Sequence, residues 1–199
     1  MENSLITQSK KIKSQADKIL KESGIVNILK EYGKVKFAGS YVLNTMVRPD
    51  LDLLIIRKKY DTQKAKEVFL KIFNLNYFHE LAWVNGVDFK LVPPFPDIYF
   101  QARINVDAVE WKLDINLKIP STDKSKELTD KFKLLLEQNP DKRLPILEIK
   151  QALREGEKYI PGVTGRLIYE AVLENSVTNV QDFKDFFSKQ NGKTSVGEL

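Results

Sequence analysis

The stretch FAGSYVLNTMVRPDLDLLII, residues 37–56, interrupts an apolar pattern with polar residues at two places. Gly39 and Ser40 stand near its start, and Asp50 and Asp52 stand just before its end. The apolar residues around these positions are typical of two strands joined by a short connection. Folding alone does not require two carboxylates at the start of a buried strand. The stretch therefore predicts a binding or catalytic site.

The composition excludes several classes of site. The chain of 199 residues has no cysteine, one histidine (His79) and a formal net charge of +5. Disulfides, zinc-thiolate sites and thiol nucleophiles are excluded, and a Ser-His-Asp triad is disfavoured. The mild positive charge is compatible with a nucleotide or RNA partner but establishes neither. Since neither a signal peptide nor a membrane helix is recognisable, we expect a soluble cytoplasmic protein without a membrane partner.

Hydrophobic periodicity predicts helices and strands in the first 120 residues. Helices are expected over residues 4–22, 25–32, 40–46 and 62–73. Strands are expected at KVKFAG, LDLLIIR, DIYFQARINV and VEWKLDINLKI. The last two strands are separated only by Asp107 and Ala108, which predicts a hairpin, although Asp-Ala is a poor two-residue turn.

The remainder of the chain is predicted to be helical. Helices are expected near residues 123–138, 142–158, 165–175 and 179–189, and Ser121 or Thr122 is a candidate cap of the first of them. Strands flanked by helices, followed by helices alone, indicate an α+β protein. We therefore predict a mixed β-sheet domain over residues 1–120 and a helical domain over residues 121–199.

Three aspartates are predicted to converge on one face of the sheet. Asp50 and Asp52 are two residues apart in a strand, so they point to the same side. In EWKLDINLKI the odd positions are apolar and the even ones polar, so Asp114 leaves the core face. If the two strands are neighbours, the carboxylates repel each other unless a cation binds them. Mg²⁺ prefers such oxygen ligands, completed by water and substrate phosphates.

Gly39 and Ser40 supply the complementary phosphate site. Glycine lets the backbone approach a phosphate closely, Ser40 offers a hydroxyl, and the N–H groups that open the next helix point at an anion. A helix cap is the simpler interpretation of Ser40, and the two roles are compatible. The stretch thus predicts a phosphate site and a metal site for one metal-bound triphosphate.

The Gly-Ser pair, a nine-residue spacer and DLDLLI together resemble the signature of the DNA polymerase β-like nucleotidyltransferase superfamily. The family's third acid lies on a later strand, and Asp114 in WKLDINL is similar to it. The resemblance implies a nucleotidyltransferase-like sheet whose metal ligands and catalytic acids are Asp50, Asp52 and Asp114. It also implies Mg²⁺ or Mn²⁺ as cofactor, with Gly39 and Ser40 binding the phosphates.

The same resemblance implies transfer of a nucleoside monophosphate, AMP being the family's common choice, from a nucleoside triphosphate to a hydroxyl, with release of pyrophosphate. The helical region resembles the acceptor-side domain of small members, including antibiotic-modifying ones. The acceptor is expected to be a small molecule or a protein, and processive polymerisation is disfavoured because no additional nucleic-acid-binding domain is recognisable. Two alternatives stay open: a non-catalytic nucleotide-binding or partner-binding module, such as an antitoxin-type protein, and an RNA-tailing enzyme.

Several further residues are candidates for minor roles. A two-residue turn would place Gln101 opposite Asp114 and Arg103 opposite Lys112, and Arg103 is expected to have a surface role. Asp114 is equally compatible with a simple ion pair to Lys112 or Arg103. Lys150 and the pair Lys158–Tyr159 stand where a second domain could close on a nucleotide, although aromatic residues in helices are more often core.

Overall fold

The computed structural model describes residues 3–91, 97–120, 125–155, 158–159 and 161–194. The helices are α1 (Ser4–Glu22), α2 (Ile25–Lys30), α3 (Gly39–Leu43), α4 (Thr62–Phe73), α5 (Ser125–Gln138), α6 (Arg143–Ala152), α7 (Gly165–Glu174) and α8 (Val180–Thr194). The strands are β1 (Lys34–Ala38), β2 (Asp50–Ile56), β3 (Glu80–Asn85), β4 (Ile98–Val106), β5 (Val109–Lys118), β6 (Arg154–Glu155) and β7 (Lys158–Tyr159). Within these ranges, no helix combines the length and hydrophobicity needed to cross a bilayer.

A five-stranded mixed sheet forms the centre of the molecule, in the order β1-β2-β5-β4-β3. Strands β2 and β5 run parallel, and every other neighbouring pair is antiparallel. The chain connects β2 to β5 through α4, β3 and β4, so two strands that are distant in sequence become neighbours. The predicted mixed sheet flanked by helices is therefore confirmed.

Strand β5 shows why the sheet has one apolar and one polar face. From Trp111 onward its odd positions are completely buried: Trp111, Leu113, Ile115 and Leu117. They belong to a core cluster that includes buried residues of α1, α2 and α4. Side chains alternate along a strand, so the even positions, including Asp114, project from the other face. The predicted direction of Asp114 is confirmed.

A second hydrophobic cluster is built from α5 to α8 and contains Phe132, Ile146, Ile168 and Phe183. Leu43 of α3 is also part of this cluster, although it precedes the helices by more than eighty residues in the chain. Helix α1 in turn packs against α6. The helical region thus covers the polar side of the sheet near α3, and a domain boundary near residue 120 stays a prediction.

The structure differs from the sequence prediction at one helix and one strand. The helix expected over residues 142–158 ends at Ala152, because buried Leu153 leaves the helical conformation and the short β6–β7 pair follows. Strand β3 was not predicted, since only Leu81 and Trp83 mark its alternation. The sequence also predicts a loop over residues 93–97, of which residues 93–96 lie outside the described residues, as does the cap expected at Ser121 or Thr122.

The β4–β5 hairpin forms as predicted, with its register set by the turn at Asp107 and Ala108. Their φ angles are 51° and 61°, in the left-handed region that a two-residue hairpin turn requires. An alanine there is strained because its Cβ approaches the following carbonyl oxygen.

Ala108→Gly should therefore raise the free energy of unfolding by about 1 kcal/mol in urea denaturation. Ala152→Gly is the matched control, since this exposed alanine ends a helix and its replacement should lower stability by about 0.5–1 kcal/mol. A loss of stability in both variants would contradict the assigned turn.

Candidate active site

The parallel pairing of β2 with β5 brings the three predicted aspartates together. Asp52 lies directly beside Asp114 in the register, and Asp50 lies beside Lys112. Since directly paired residues project to the same face, all three carboxylates stand on the polar side of the sheet. The convergence that sequence alternation predicted is present in the structure.

Gly39 begins α3 directly after β1, whose last residue, Ala38, is paired with Asp52. Its φ is +62°, and a Cβ added there would overlap the Asp52 carboxylate. Glycine is therefore required here for two reasons in addition to the close approach of a phosphate. The backbone has a positive φ, and the Asp52 carboxylate leaves no room for a Cβ. Ser40 lies inside the first turn of α3, while Ala38 holds the cap position without a side-chain bond.

Two basic side chains hold the outer carboxylates of the trio. Arg48 Nη2 lies 2.5 Å from Asp50 Oδ2, and Lys112 Nζ lies 2.6 Å from Asp114 Oδ2. The other oxygen of Asp114 accepts a hydrogen bond from the Tyr99 hydroxyl, whose pKa is raised by burial and then by this bond. Asp114 thus forms the ion pair with Lys112 that the sequence offers as an alternative, and it also accepts a hydrogen bond from Tyr99.

Among the residues that the structure describes, none forms such an ion pair with Asp52, which carries the electrostatic cost of the cluster. Burial, followed by the charges of Asp50 and Asp114, raises its pKa from 3.8 to about 7, against the smaller opposite effects of Lys112 and Lys150. Beside it, Asp50 Oδ1 is buried and has no hydrogen-bond partner among the described residues. Both observations describe a site that needs additional positive charge.

The described residues contain no group of three or more acidic or histidine side chains already arranged around a point where a metal ion would fit. Asp50 and Asp114 are instead turned toward Arg48 and Lys112. The donor set is nonetheless the oxygen-only set that Mg²⁺ takes, and the orphaned Asp50 Oδ1 is an available ligand. The residues therefore fit a divalent cation after a change of side-chain partners.

A cavity of about 560 Å³ lies between the start of β2 and the helical region. Asp50 and Asp52 of β2 and Gly39 and Ser40 of α3 line one side of it, whereas Asp114 is not among the described residues that line it. Facing residues come from the helical region: Phe132, Lys150, Arg154, Tyr159 and Tyr169. The volume is in the range of small-molecule sites, and the opposite charges of the two sides favour a ligand that carries anions and metal.

Lys150 is a buried cation in the wall of this cavity, with 3% of its surface exposed. Its Nζ donates to the backbone oxygen of Thr45 at 2.7 Å and to the Tyr169 hydroxyl at 3.3 Å. Burial, then the nearby charge of Arg154, lowers its pKa from 10.5 to about 7. The expectation that Lys150 stands where a second domain could close on a nucleotide stays a prediction.

Tyr159 lies on β7 and not in a helix, which corrects the interpretation of the 142–158 segment. The guanidinium of Arg154, the residue paired with it on β6, lies 4.2 Å from the centroid of its ring. This contact orients an aromatic ring and a cation together at the cavity wall. The side chain of Lys158 is outside the described residues.

Some residues of the site were not found by sequence reasoning. Sequence patterns alone assign no site role to Arg48 or Tyr99, and they place Arg154 in a helix. The contact of Tyr99 with Asp114 depends on the pairing of β4 with β5, whereas Arg48 contacts Asp50 only two residues away. Arg103 has the surface role expected of it, since its guanidinium contacts Glu80 at 3.6 Å and Glu110 at 2.6 Å.

No known family profile matches this chain, and no curated protein is detectably similar to it in sequence. Among solved structures, it is similar to the Cid1 poly(U) polymerase with Mg and 3′-dATP bound, at 12% identity and a TM-score of 0.49, over 71% of this chain and 41% of that one. It is also similar to a cytoplasmic RNA terminal U-transferase, at 11% identity and a TM-score of 0.48, over 75% of this chain and 45% of that one.

The GLD-2/RNP-8 complex is similar at 10% identity and a TM-score of 0.50, over 71% of this chain and 53% of that one. This chain therefore spans about half the length of these three structures. At these identities the similarity concerns the fold alone. At a TM-score of 0.50, the GLD-2/RNP-8 complex shares a fold with this chain, and the mixed sheet flanked by helices agrees with the fold that the sequence predicts.

Proposed function

We propose that the protein is a Mg²⁺-dependent nucleotidyltransferase that moves a nucleoside monophosphate from a nucleoside triphosphate to a hydroxyl group. One observation carries the proposal: Asp52 stands directly beside Asp114, at the edge of a cavity that also contains the Gly39–Ser40 turn. A binding module would not need a third carboxylate at the cost of raising the pKa of its neighbour.

In this proposal Asp50, Asp52 and Asp114 hold one or two Mg²⁺ ions. When bound, Mg²⁺ neutralises the carboxylates and the charge that develops on the phosphates. Gly39 and Ser40 bind the β- and γ-phosphates, and Lys150 and Arg154 supply positive charge from the opposite wall. The Tyr159 ring, held by Arg154, offers a stacking surface for the base.

The reaction follows from this arrangement. The oxygen of the acceptor hydroxyl forms a bond to the α-phosphorus, the bond from that phosphorus to the bridging oxygen breaks, and pyrophosphate leaves. Asp114, at the side of the site away from Gly39, receives the proton of the hydroxyl. AMP is our proposed group for transfer, and the acceptor is a small molecule or a protein, with the end of an RNA strand as the alternative.

Nucleotide binding should be visible as a thermal shift with each of the four ribonucleoside triphosphates. At 100 times its dissociation constant, a ligand adds about 2.7 kcal/mol, which corresponds to roughly 5–11 °C for a chain of this size. Asp52→Asn should remove the Mg²⁺-dependent part of the shift and abolish pyrophosphate release, because it removes a central ligand.

Asp185→Asn, an exposed change on α8, is the control for that experiment and should behave like wild type. Full pyrophosphate release by Asp52→Asn would refute the metal assignment. A nucleotide shift without any pyrophosphate release would favour the binding-module alternative.

The raised pKa of Asp52 predicts a pH-dependent stability of the metal-free protein. A group with a raised pKa stabilises the fold while protonated, so its contribution is complete below its unfolded pKa of 3.8 and lost as the pH rises through about 7. Asp52→Asn should therefore gain stability relative to wild type between pH 4 and pH 8, by on the order of a few kcal/mol.

Urea denaturation of both proteins in the presence of a chelator measures this difference. Lys150 has a pKa of about 7 in the folded protein and an ordinary pKa of 10.5. Its effect on the pH dependence of stability therefore falls mainly above the range from pH 4 to pH 8. With saturating Mg²⁺, the free energy of unfolding of the two proteins should change with pH at the same slope, because the ion replaces the proton at the carboxylates. A difference that does not vary with pH would contradict the electrostatic description of Asp52.

Lys150→Met tests the opposite wall. Loss of a charged donor to phosphate should weaken triphosphate binding about tenfold or more, measured by calorimetry with Ca²⁺ to prevent turnover. Lys142→Met is the matched control, since this lysine also donates to a backbone oxygen, that of Leu173 at 3.4 Å, but lies outside the cavity. Equal affinities in the two variants would remove Lys150 from the nucleotide site.

A further inference from the structure

The direction from which the acceptor must approach can be read from the sheet, if the proposed transfer reaction is correct. In-line displacement requires the attacking oxygen to lie opposite the leaving group. The leaving pyrophosphate belongs to the Gly39–Ser40 side, next to β1. Since β2 and β5 follow β1 in the sheet, the acceptor hydroxyl enters from the side of β5 and β4.

Several side chains on that side share the face of Asp114, and we call four of them the β4–β5 ledge: Tyr99, Gln101, Arg103 and Lys112. Two of them have contacts that a metal ion bound at Asp114 does not disturb directly. Arg103 is paired with Glu80 and Glu110, and Gln101 donates to Glu80 at 3.3 Å. Tyr99 and Lys112 differ, because both contact Asp114 itself, and only Lys112 brings a positive charge to it.

Asp114 cannot keep this partner when it becomes a metal ligand. Its Oδ2 lies 2.6 Å from Lys112 Nζ, and its Oδ1 accepts the Tyr99 hydroxyl, so both oxygens are engaged. A divalent cation at the same carboxylate repels an ammonium group a few ångströms away. The Lys112 side chain is 21% exposed, which leaves it room to move toward solvent on the ledge.

We propose that Lys112 is the counter-ion that the catalytic metal displaces from Asp114, and that the released ammonium binds an anionic group carried by the acceptor close to its reactive hydroxyl. Lys112 neutralises the carboxylate in the absence of metal and selects the acceptor in its presence. The expected acceptor is a phosphate-bearing hydroxyl compound, whose phosphate comes either from the end of a nucleic-acid strand or from a phosphorylated small molecule.

The first arm of the test measures metal affinity and needs no turnover. Mn²⁺ is titrated into wild type, Lys112→Met and Lys112→Arg, and free Mn²⁺ is followed by electron paramagnetic resonance. Lys112→Met should bind Mn²⁺ about fivefold or more tightly than wild type, because the competing charge is gone. Lys112→Arg, which keeps the charge, should stay near wild type.

Lys118→Met is the matched control for this arm. Lys118 is on the same strand and face, is 22% exposed, and forms an ion pair of 3.2 Å with Asp97 instead of Asp114. Its removal changes the net charge equally but should leave Mn²⁺ affinity within about twofold, because exposed charges far apart are screened. Unchanged or weaker Mn²⁺ binding by Lys112→Met would overturn the displacement.

The second arm measures acceptor binding with Ca²⁺ and a non-hydrolysable triphosphate analogue. The probes are a trinucleotide with a free 3′ hydroxyl, glycerol 3-phosphate, and uncharged glycerol. One of the phosphate probes should bind wild type, and its identity distinguishes a nucleic-acid end from a small molecule. Lys112→Met should weaken that binding about tenfold, while Lys118→Met should not.

The two arms separate this inference from the proposed function. Tighter Mn²⁺ binding by Lys112→Met together with no pyrophosphate release by wild type would retain the displacement and reject the transferase. Absence of binding by either phosphate probe, or equal binding by wild type and Lys112→Met, would overturn the anionic acceptor. Absence of Mn²⁺ binding by wild type would overturn both proposals.

Discussion

The structure depends on one pairing, that of β2 with β5, because it fixes two carboxylates side by side. Asp52 and Asp114 are neighbours in the register, and their repulsion cannot be relieved by moving either strand without losing the buried core on the other face. The surroundings instead compensate through Arg48, Lys112 and Tyr99. The fold thus keeps an electrostatically unfavourable arrangement and balances it with nearby side chains.

The helical region completes this balance from the opposite side of the cavity. It places Lys150 in a position so buried that its pKa falls to about 7, within the same cavity as an aspartate whose pKa rises to about 7. These two shifts have the same main cause, since burial disfavours the charged form of each group. A ligand that brought both metal ions and phosphates would stabilise both charged forms together.

Local pattern was sufficient to predict much of this arrangement. The spacing of Gly39–Ser40 and Asp50–Asp52 and the alternation around Asp114 indicated the sheet face on which the acids meet. Prediction ended where the signal was weak or non-local. Helical spacing could not show that α6 ends at Ala152, so Arg154 and Tyr159 were placed on a helix, and β3 is too short to stand out. Arg48 and Lys112 each lie two residues from the carboxylate that they contact, whereas the meeting of Asp52 with Asp114 becomes visible only when strands distant in sequence are paired.

Helix α3 is only five residues long, yet it belongs to both parts of the protein. It begins at Gly39 against the Asp52 carboxylate, and it ends at Leu43, which is packed in the helical cluster. Just beyond it, Thr45 accepts a bond from Lys150 of α6. Because α3 is held at both ends, any separation of the helical region from the sheet would also displace Ser40. The cavity would therefore open and the Gly39–Ser40 turn would loosen together. This would couple the exit of a bound molecule to the loss of its contacts with the turn.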